Sequence, residues 1–238
     1  MRKHIPNLLT LFNLFSGLVA LIFVFQRQWL LAAVFVLLGI FFDFFDGFFA
    51  RKLDVSTKLG LQLDSLADMV TSGVVPAFAM FFLLQDALHI DLMVSMHWNF
   101  KYFLPFISFV IALGSAFRLA KFNIDSRQSD SFIGLPTPAN TLFILSLPLI
   151  AYEQTQFSLS EFILNPYVLI LISLFSAYIL NAELSLFSLK FKDYSWHNNM
   201  VKYILIVVSV ALIISLKYLS VPLIVLCYIA LSVFTKKQ

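Results

Sequence analysis

Four aspartates stand inside apolar sequence: Asp43 and Asp46 in FFDFFDGFFAR (residues 41–51), and Asp64 and Asp68 in LGLQLDSLADMV (residues 59–70). Residues three or four apart share one face of a helix. Asp43 and Asp46 therefore continue into Gly47 and Ala50 as one small, polar stripe. Thr57, Gly60, Asp64 and Asp68 form a second stripe that reaches Thr71 or Ser72. The phenylalanines at 41, 42, 44, 45, 48 and 49 occupy the remaining circumference of the first helix. An aspartate at the bilayer centre costs roughly 2.5–3.5 kcal/mol, and four unpaired ones on the order of 10 kcal/mol, so something must compensate. The cations nearest in sequence are only Arg51, Lys52 and Lys58. Divalent metal is the economical counter-charge, and oxygen-only ligands with no His or Cys nearby suit Mg²⁺ or Mn²⁺ and also admit Ca²⁺. Carboxylate-held metal beside two glycines and an arginine suits a diphosphate, because metal bridges phosphate oxygens and a guanidinium binds oxyanions bidentately. Taken singly, these residues have plainer readings: one intramembrane Asp as an interhelical hydrogen bond or proton relay, Arg51 as a charge anchor, Gly47 and Gly60 as helix-packing contacts.

The elements that must position these groups follow from composition. Of 238 residues, 61% are hydrophobic and 12% charged, and the mean hydropathy is +0.91, which places the chain outside the soluble globular range. The sequence predicts an all-α, polytopic integral membrane helix bundle forming one domain over residues 1–238. Apolar stretches near the ~20 residues needed to cross a bilayer recur at 7–26, 29–50, 60–84, 101–120, 138–152, 163–185, 200–216 and 219–235. We read about eight transmembrane helices, with six as the lower bound. The first stretch lacks a small-residue cleavage site and reads as a retained span.

Thirteen basic residues (Arg2, Lys3, Arg51, Lys52, Lys58, Arg118, Lys121, Arg127, Lys190, Lys192, Lys202, Lys236, Lys237) fall on one side of that topology and three (Arg27, Lys101, Lys217) on the other. This bias predicts both termini and the four carboxylates on the cytoplasmic side, and it accounts for the net charge of +3 without a nucleic-acid partner. The lone Cys227 lies in the last apolar stretch and reads as packing. His4, His89, His97 and His197 are scattered away from the aspartates and carry no assigned chemistry. LHIDLMVSMHW (residues 88–98) is a candidate interfacial amphipathic helix.

As one string, Asp43-x-x-Asp46-Gly47-x-x-Ala50-Arg51, eight residues, then Gly60-x-x-x-Asp64-x-x-x-Asp68 resembles the signature of the CDP-alcohol phosphatidyltransferases, with all eight specified positions filled across 26 residues. The resemblance implies transfer of a phosphatidyl group from a CDP-linked lipid to an alcohol with release of CMP. It implies two divalent cations, Mg²⁺ or Mn²⁺, held by Asp43, Asp46 and Asp64, and Asp68 as a further metal contact and the base for the acceptor hydroxyl. Gly47, Ala50, Arg51 and Gly60 would line the CDP pocket, with Thr57 beside the phosphates. The same resemblance implies a homodimer in the bacterial cytoplasmic membrane.

IPNLLTLFNLFSG (5–17), LDSLADMVTSGVVPA (63–77), FRLAKFN (117–123) and GLPTPAN (134–140) look like segments of the membrane-embedded serine-specific branch, which takes CDP-diacylglycerol and L-serine. NAELSLFSLKFK (181–192) is a weaker likeness, and Ser72 stands where that branch has an aromatic residue. By this likeness Asn7 and Thr10 contact the nucleotide lipid, Asn7 being equally readable as a helix start. Arg118 and Lys121 would bind the acceptor carboxylate or the lipid phosphate, against a reading as charge anchors. Pro136 and Pro138 set the entry to the fifth helix. Sibling enzymes using glycerol 3-phosphate, inositol or inositol phosphate share the signature, which reads the CDP half. More distant alternatives are a membrane prenyltransferase, disfavoured by the contiguous Asp-Gly-x-x-Ala-Arg segment, and a cation transporter, disfavoured by the cytoplasmic placement of the aspartates.

Overall fold

The computed structural model describes residues 4–92, 99–125, 131–154, 159–187 and 195–235. Each of the eight apolar stretches contains a helix. Helices α1 (Ile5–Phe25), α2 (Trp29–Lys52), α3 (Lys58–Leu88) and α4 (Phe100–Ile124) are long and apolar enough to cross a membrane. Helix α5 (Thr137–Pro148) continues into a wider π-helical turn, Leu149–Glu153, and α6 (Pro166–Asn181) is shorter. The apolar run Asn199–Val233 is broken at Lys217, whose φ is 49°, into α7 (Trp196–Leu216) and α8 (Ser220–Thr235).

Two expectations need correction. The sixth stretch, 163–185, forms a shorter helix because Pro166 occupies the first turn, where its missing N–H costs nothing, and Asn165 Oδ1 accepts from the Tyr167 amide at 2.9 Å. Beyond Asn181 the chain becomes extended and forms β2 (Ser185–Phe187), antiparallel to β1 (Ser131–Ile133) with Phe132 opposite Leu186. This two-stranded ribbon is a small addition to the predicted all-α bundle. Of the expected interfacial helix at 88–98, only 88–92 are described, and these do not start a new helix: α3 runs through Leu88 and closes at His89 in left-handed backbone (φ 51°). The Leu92 amide then donates to Gln85 Oε1 at 2.7 Å. Residues 93–98, with His97, lie outside the described residues, as do Arg2, Lys3, Arg127, Lys190, Lys192, Lys236 and Lys237.

Polar contacts between helix ends establish that the helices alternate in direction. At one end Arg27, in the α1–α2 turn, pairs with Asp86 near the end of α3 at 2.9 Å, and the Tyr152 hydroxyl donates to the same carboxylate at 3.0 Å. Gln154 donates to Leu216 O and accepts from the Leu219 amide across the α7–α8 turn. At the other end Asn123 of α4 donates to Ser65 of α3 at 2.9 Å, and Tyr228 of α8 donates to Phe187 O at 2.9 Å. The start of α1 and the end of α8 consequently share one end of the bundle.

Helix α3 is the axis of the fold: 67% of its apolar stretch is buried, against 11–33% in the other long apolar stretches. It contributes Val75, Ala79, Phe81 and Phe82 to a core with α1, α2 and α5, and Ala77, Met80, Leu83 and Leu84 to a second core with α4, α5 and α6. Lipid is as apolar as these side chains, so close packing must hold the helices together. Small residues provide it: a Cβ on Gly17 would lie 2.3 Å from Thr71 Oγ1, and one on Gly39 would lie 2.7 Å from Thr71 Cγ2. The apolar residues facing outward, including Phe15, Phe41, Phe44 and Leu66, are those a bilayer accepts.

Candidate metal centre

The turn between α2 and α3 reverses the chain within five residues, using Asp54 in left-handed backbone (φ 51°). Thr57 then caps α3, its Oγ1 accepting from the Gly60 amide at 3.0 Å. The reversal lays the aspartate stripes of the two helices against each other. One carboxylate oxygen from each of Asp43, Asp64 and Asp68 lies within 4.8 Å of the other two. The Asp43 and Asp64 carboxyls are within hydrogen-bonding reach of each other.

Asp46 stands slightly apart, 5% exposed, where its Oδ2 accepts from Thr10 Oγ1 at 2.6 Å. Asp68 Oδ1 accepts from Asn13 Nδ2 at 3.0 Å. Asp64 Oδ1 is buried without a hydrogen-bond partner. Like charges this close repel strongly, and a buried carboxylate oxygen without a donor is costly. The cluster is all-oxygen and lacks His and Cys, so its donor set fits a hard divalent cation of the Mg²⁺ or Mn²⁺ kind.

The remaining predicted residues sort by position. Arg51 lies over Gly47, where a Cβ would sit 3.4 Å from Arg51 Nη1. A Cβ on Gly60 would meet only side-chain oxygens, Asn7 Oδ1 and Thr57 Oγ1, each at 3.2 Å. Neither glycine is therefore a point where two helix backbones touch. Ala50 is half-buried on the turn of α2 that precedes Arg51. Asn7 does not start α1: His4 holds the cap position and Pro6 the first turn, which leaves the Asn7 side chain facing Gly60.

Arg118 is 7% exposed, electrostatically coupled to Asp68 and Tyr228, and its Nε has no partner. Lys121, one turn further along α4, instead approaches Glu183 at 3.8 Å. The structure thus separates two cations that the sequence paired.

Asn13 was not among the residues singled out by type and spacing. A signal existed: Asn7, Thr10, Asn13 and Ser16 recur every three residues through an otherwise apolar helix, and three of them bear on the carboxylate face. Directly after Asp68, α3 passes through a π-helical turn, Met69–Val74, a feature frequent at functional sites. It splits the expected continuation of the stripe. Thr71 turns to α1, donating to Asn13 O at 3.1 Å, whereas Ser72 O accepts from Thr141 on α5 at 2.9 Å.

The chain is similar in sequence to known proteins. The family model for CDP-alcohol phosphatidyltransferase matches residues 3–185, a range that ends before α7 and α8. A CDP-diacylglycerol–serine O-phosphatidyltransferase of Bacillus subtilis (strain 168) is 36% identical over 140 residues, 57% of this chain and 70% of that protein. One of the same name from Methanocaldococcus jannaschii is 33% identical over 142 residues, 59% of this chain and 58% of that protein. Like similar Helicobacter pylori matches, the latter leaves the chain spanning little more than half of its relative. A CDP-diacylglycerol–glycerol-3-phosphate 3-phosphatidyltransferase of Aquifex aeolicus is 48% identical over 67 residues, 28% of this chain and 38% of that protein.

Proposed function

The chain belongs to the CDP-alcohol phosphatidyltransferase family, and we propose that it transfers the phosphatidyl group of CDP-diacylglycerol to the hydroxyl of L-serine. The products are phosphatidylserine and CMP. The observation that carries the reading is the meeting of Asp43, Asp64 and Asp68 within 4.8 Å, beside Arg51 and two glycines without helix-backbone neighbours.

In this reading Asp43, Asp46, Asp64 and Asp68 hold two divalent cations. Bound there, the cations neutralise the diphosphate and stabilise the charge that develops on departing CMP. Arg51 binds a diphosphate oxygen, and Gly47, Ala50 and Gly60 leave room for the nucleotide, with Asn7, Thr10 and Thr57 on its border. Asp68 accepts the proton of the serine hydroxyl. The serine oxygen then forms its bond to the lipid-side phosphorus as the bond from phosphorus to the CMP oxygen breaks.

Arg118 binds the serine carboxylate. It is the one buried cation among the described residues, and its free Nε and coupling to Asp68 support that role. Lys121 does not share it, because it faces Glu183. The Aquifex aeolicus relative gives a second reading, glycerol 3-phosphate as acceptor. A phosphate dianion calls for more than the single buried cation at this site, which favours serine.

We further propose that the carboxylate end faces the cytoplasm of a bacterial membrane. Its support is the set Arg51, Lys52, Lys58, Arg118 and Lys121 at that end, against Arg27, Lys101 and Lys217 at the other. Homodimerisation, implied by resemblance, is not needed to assemble the four aspartates, which come from one copy.

The test is CMP release from CDP-diacylglycerol by purified protein with Mg²⁺ or Mn²⁺, comparing serine, glycerol 3-phosphate, inositol and inositol phosphate. Release with serine alone, with phosphatidylserine formed, is expected. Release with another acceptor keeps the site and changes the acceptor, and no metal-dependent release with any acceptor overturns the reading.

A further inference from the structure

We infer that Asn13 is a positioning residue for Asp68, and that α1 divides its support of the carboxylates between two tasks: Thr10 holds a carboxylate that only binds metal, and Asn13 holds the one that also serves as base. The inference rests on the phosphatidyl-transfer reading, because it assigns Asn13 its effect through the proton transfer at Asp68.

The geometry begins with the number of donors. Among the four carboxylates, two receive a side-chain hydrogen bond from α1: Asp46 from Thr10 at 2.6 Å and Asp68 from Asn13 at 3.0 Å. Asp43 and Asp64 face each other, and Asp64 keeps an oxygen without a donor. An ionised carboxylate only accepts, so the Asn13 atom facing Asp68 must be the amide nitrogen. Its bond to Oδ1 of Asp68 fixes the orientation of the carboxylate, and with it how the remaining lone pairs are presented.

Asn13 is itself held from three sides. It is fully buried. Its main-chain carbonyl accepts from Thr71 at 3.1 Å, which ties this turn of α1 to the π-helical turn that follows Asp68. Behind the amide stands Gly39 of α2, where a Cβ would lie 2.9 Å from Asn13 Oδ1. Any side chain at position 39 would therefore press on the amide. Asn13 Oδ1 has no partner, so the side chain makes its one hydrogen bond to Asp68.

A buried amide with one partner is costly as mere filling, since an apolar side chain of the same shape would avoid an unsatisfied oxygen. An oriented donor to Asp68 is the return for that cost. Partners that orient a metal-ligating carboxylate typically cost about 10- to 100-fold in metal affinity or activity when removed. Asp46 is no base in this scheme, so loss of the Thr10 donor acts on metal binding instead.

The experiment compares Asn13→Leu, which keeps the shape and loses the donor, with Thr10→Val, also near-isosteric. Mn²⁺ binding is measured by calorimetry on the purified proteins, and kcat and KM for CDP-diacylglycerol and serine by CMP release. Asn13→Leu is expected to lower kcat about 10- to 100-fold at saturating Mn²⁺, more than its Mn²⁺ affinity falls, with the KM for CDP-diacylglycerol within about twofold of wild type. Thr10→Val is expected to weaken Mn²⁺ binding about tenfold. Gly39→Ala, whose Cβ presses on Thr71 and on the Asn13 amide and meets no carboxylate, should repeat the Asn13→Leu pattern in weaker form.

Wild-type turnover in Asn13→Leu would make Asn13 a space-filling residue and overturn the inference alone. Turnover that returns to the wild-type value at saturating Mn²⁺ in that variant would also overturn it, by making Asn13 part of the metal support alone. Wild-type protein that binds Mn²⁺ yet releases no CMP with any acceptor overturns the transfer reading, and this inference with it.

Discussion

Arg51 folds back over Gly47 on its own helix, its Nη1 3.4 Å from where a Cβ on Gly47 would lie, and no atom of another helix is nearer. The space above Gly47 thus belongs to a guanidinium and whatever it binds. Gly47→Val would push the guanidinium aside, and Arg51→Lys would keep the charge but lose the bidentate fork. Both are expected to raise the KM for CDP-diacylglycerol about tenfold, equivalent to 1.4 kcal/mol, at unchanged serine KM. Initial rates of CMP release at varied CDP-diacylglycerol check this.

Metal dependence should divide the aspartates. Chelation with EDTA is expected to abolish CMP release, and Mn²⁺ or Mg²⁺ to restore it. Asp46→Asn should weaken Mn²⁺ binding, since it removes a charge held ready by Thr10. Asp68→Asn should retain binding of CDP-diacylglycerol and lose turnover. Calorimetric binding set beside single-turnover CMP release separates the two, and normal turnover in Asp68→Asn would remove it as the base.

The two cations of α4 should behave differently. Arg118 is buried beside Asp68 with an unused Nε, so Arg118→Lys is expected to raise the serine KM at least about tenfold, the effect of losing one charge-assisted hydrogen bond. Lys121 makes a partly exposed ion pair with Glu183 at 3.8 Å, of a kind worth about 0–1 kcal/mol. Lys121→Gln should leave the serine KM within about twofold. Equal effects of the two substitutions would contradict the separation of roles.

Close packing of α1 on α3 has its own signature. With Thr71 Oγ1 2.3 Å from the position of a Cβ on Gly17, even a small side chain forces the helices apart. Gly17→Leu is expected to destabilise the folded protein by about 1–3 kcal/mol or more through overpacking. The melting temperature in detergent measures it. The shift should accompany loss of turnover, because the Thr71 contact also fixes Asn13.

Residues on one helix were legible from spacing alone. A rise of 1.5 Å and 3.6 residues per turn puts Asp43 beside Asp46 and Asp64 beside Asp68 whatever surrounds them, and the short turn at 53–57 forces the two pairs together. Hydrophobic length likewise marked all eight helices. Local chemistry also explains where the sixth ends up shorter: Pro166 and Asn165 set its start, a signal present in the sequence but outweighed there by the apolar run.

What only the tertiary structure decided lies between helices. Which face of α1 meets α3 depends on how closely two backbones approach and at what rotation. Here that approach is set by Gly17 and Gly39 against Thr71, residues far apart in the chain. That packing brings Asn13 to Asp68 across 55 positions. The fold around α6 likewise turns Lys121 toward Glu183 while Arg118, three residues earlier, stays beside the carboxylates. Helical periodicity determines which side chains travel together. Close packing, which sums many weak contacts over the whole bundle, determines which of them meet.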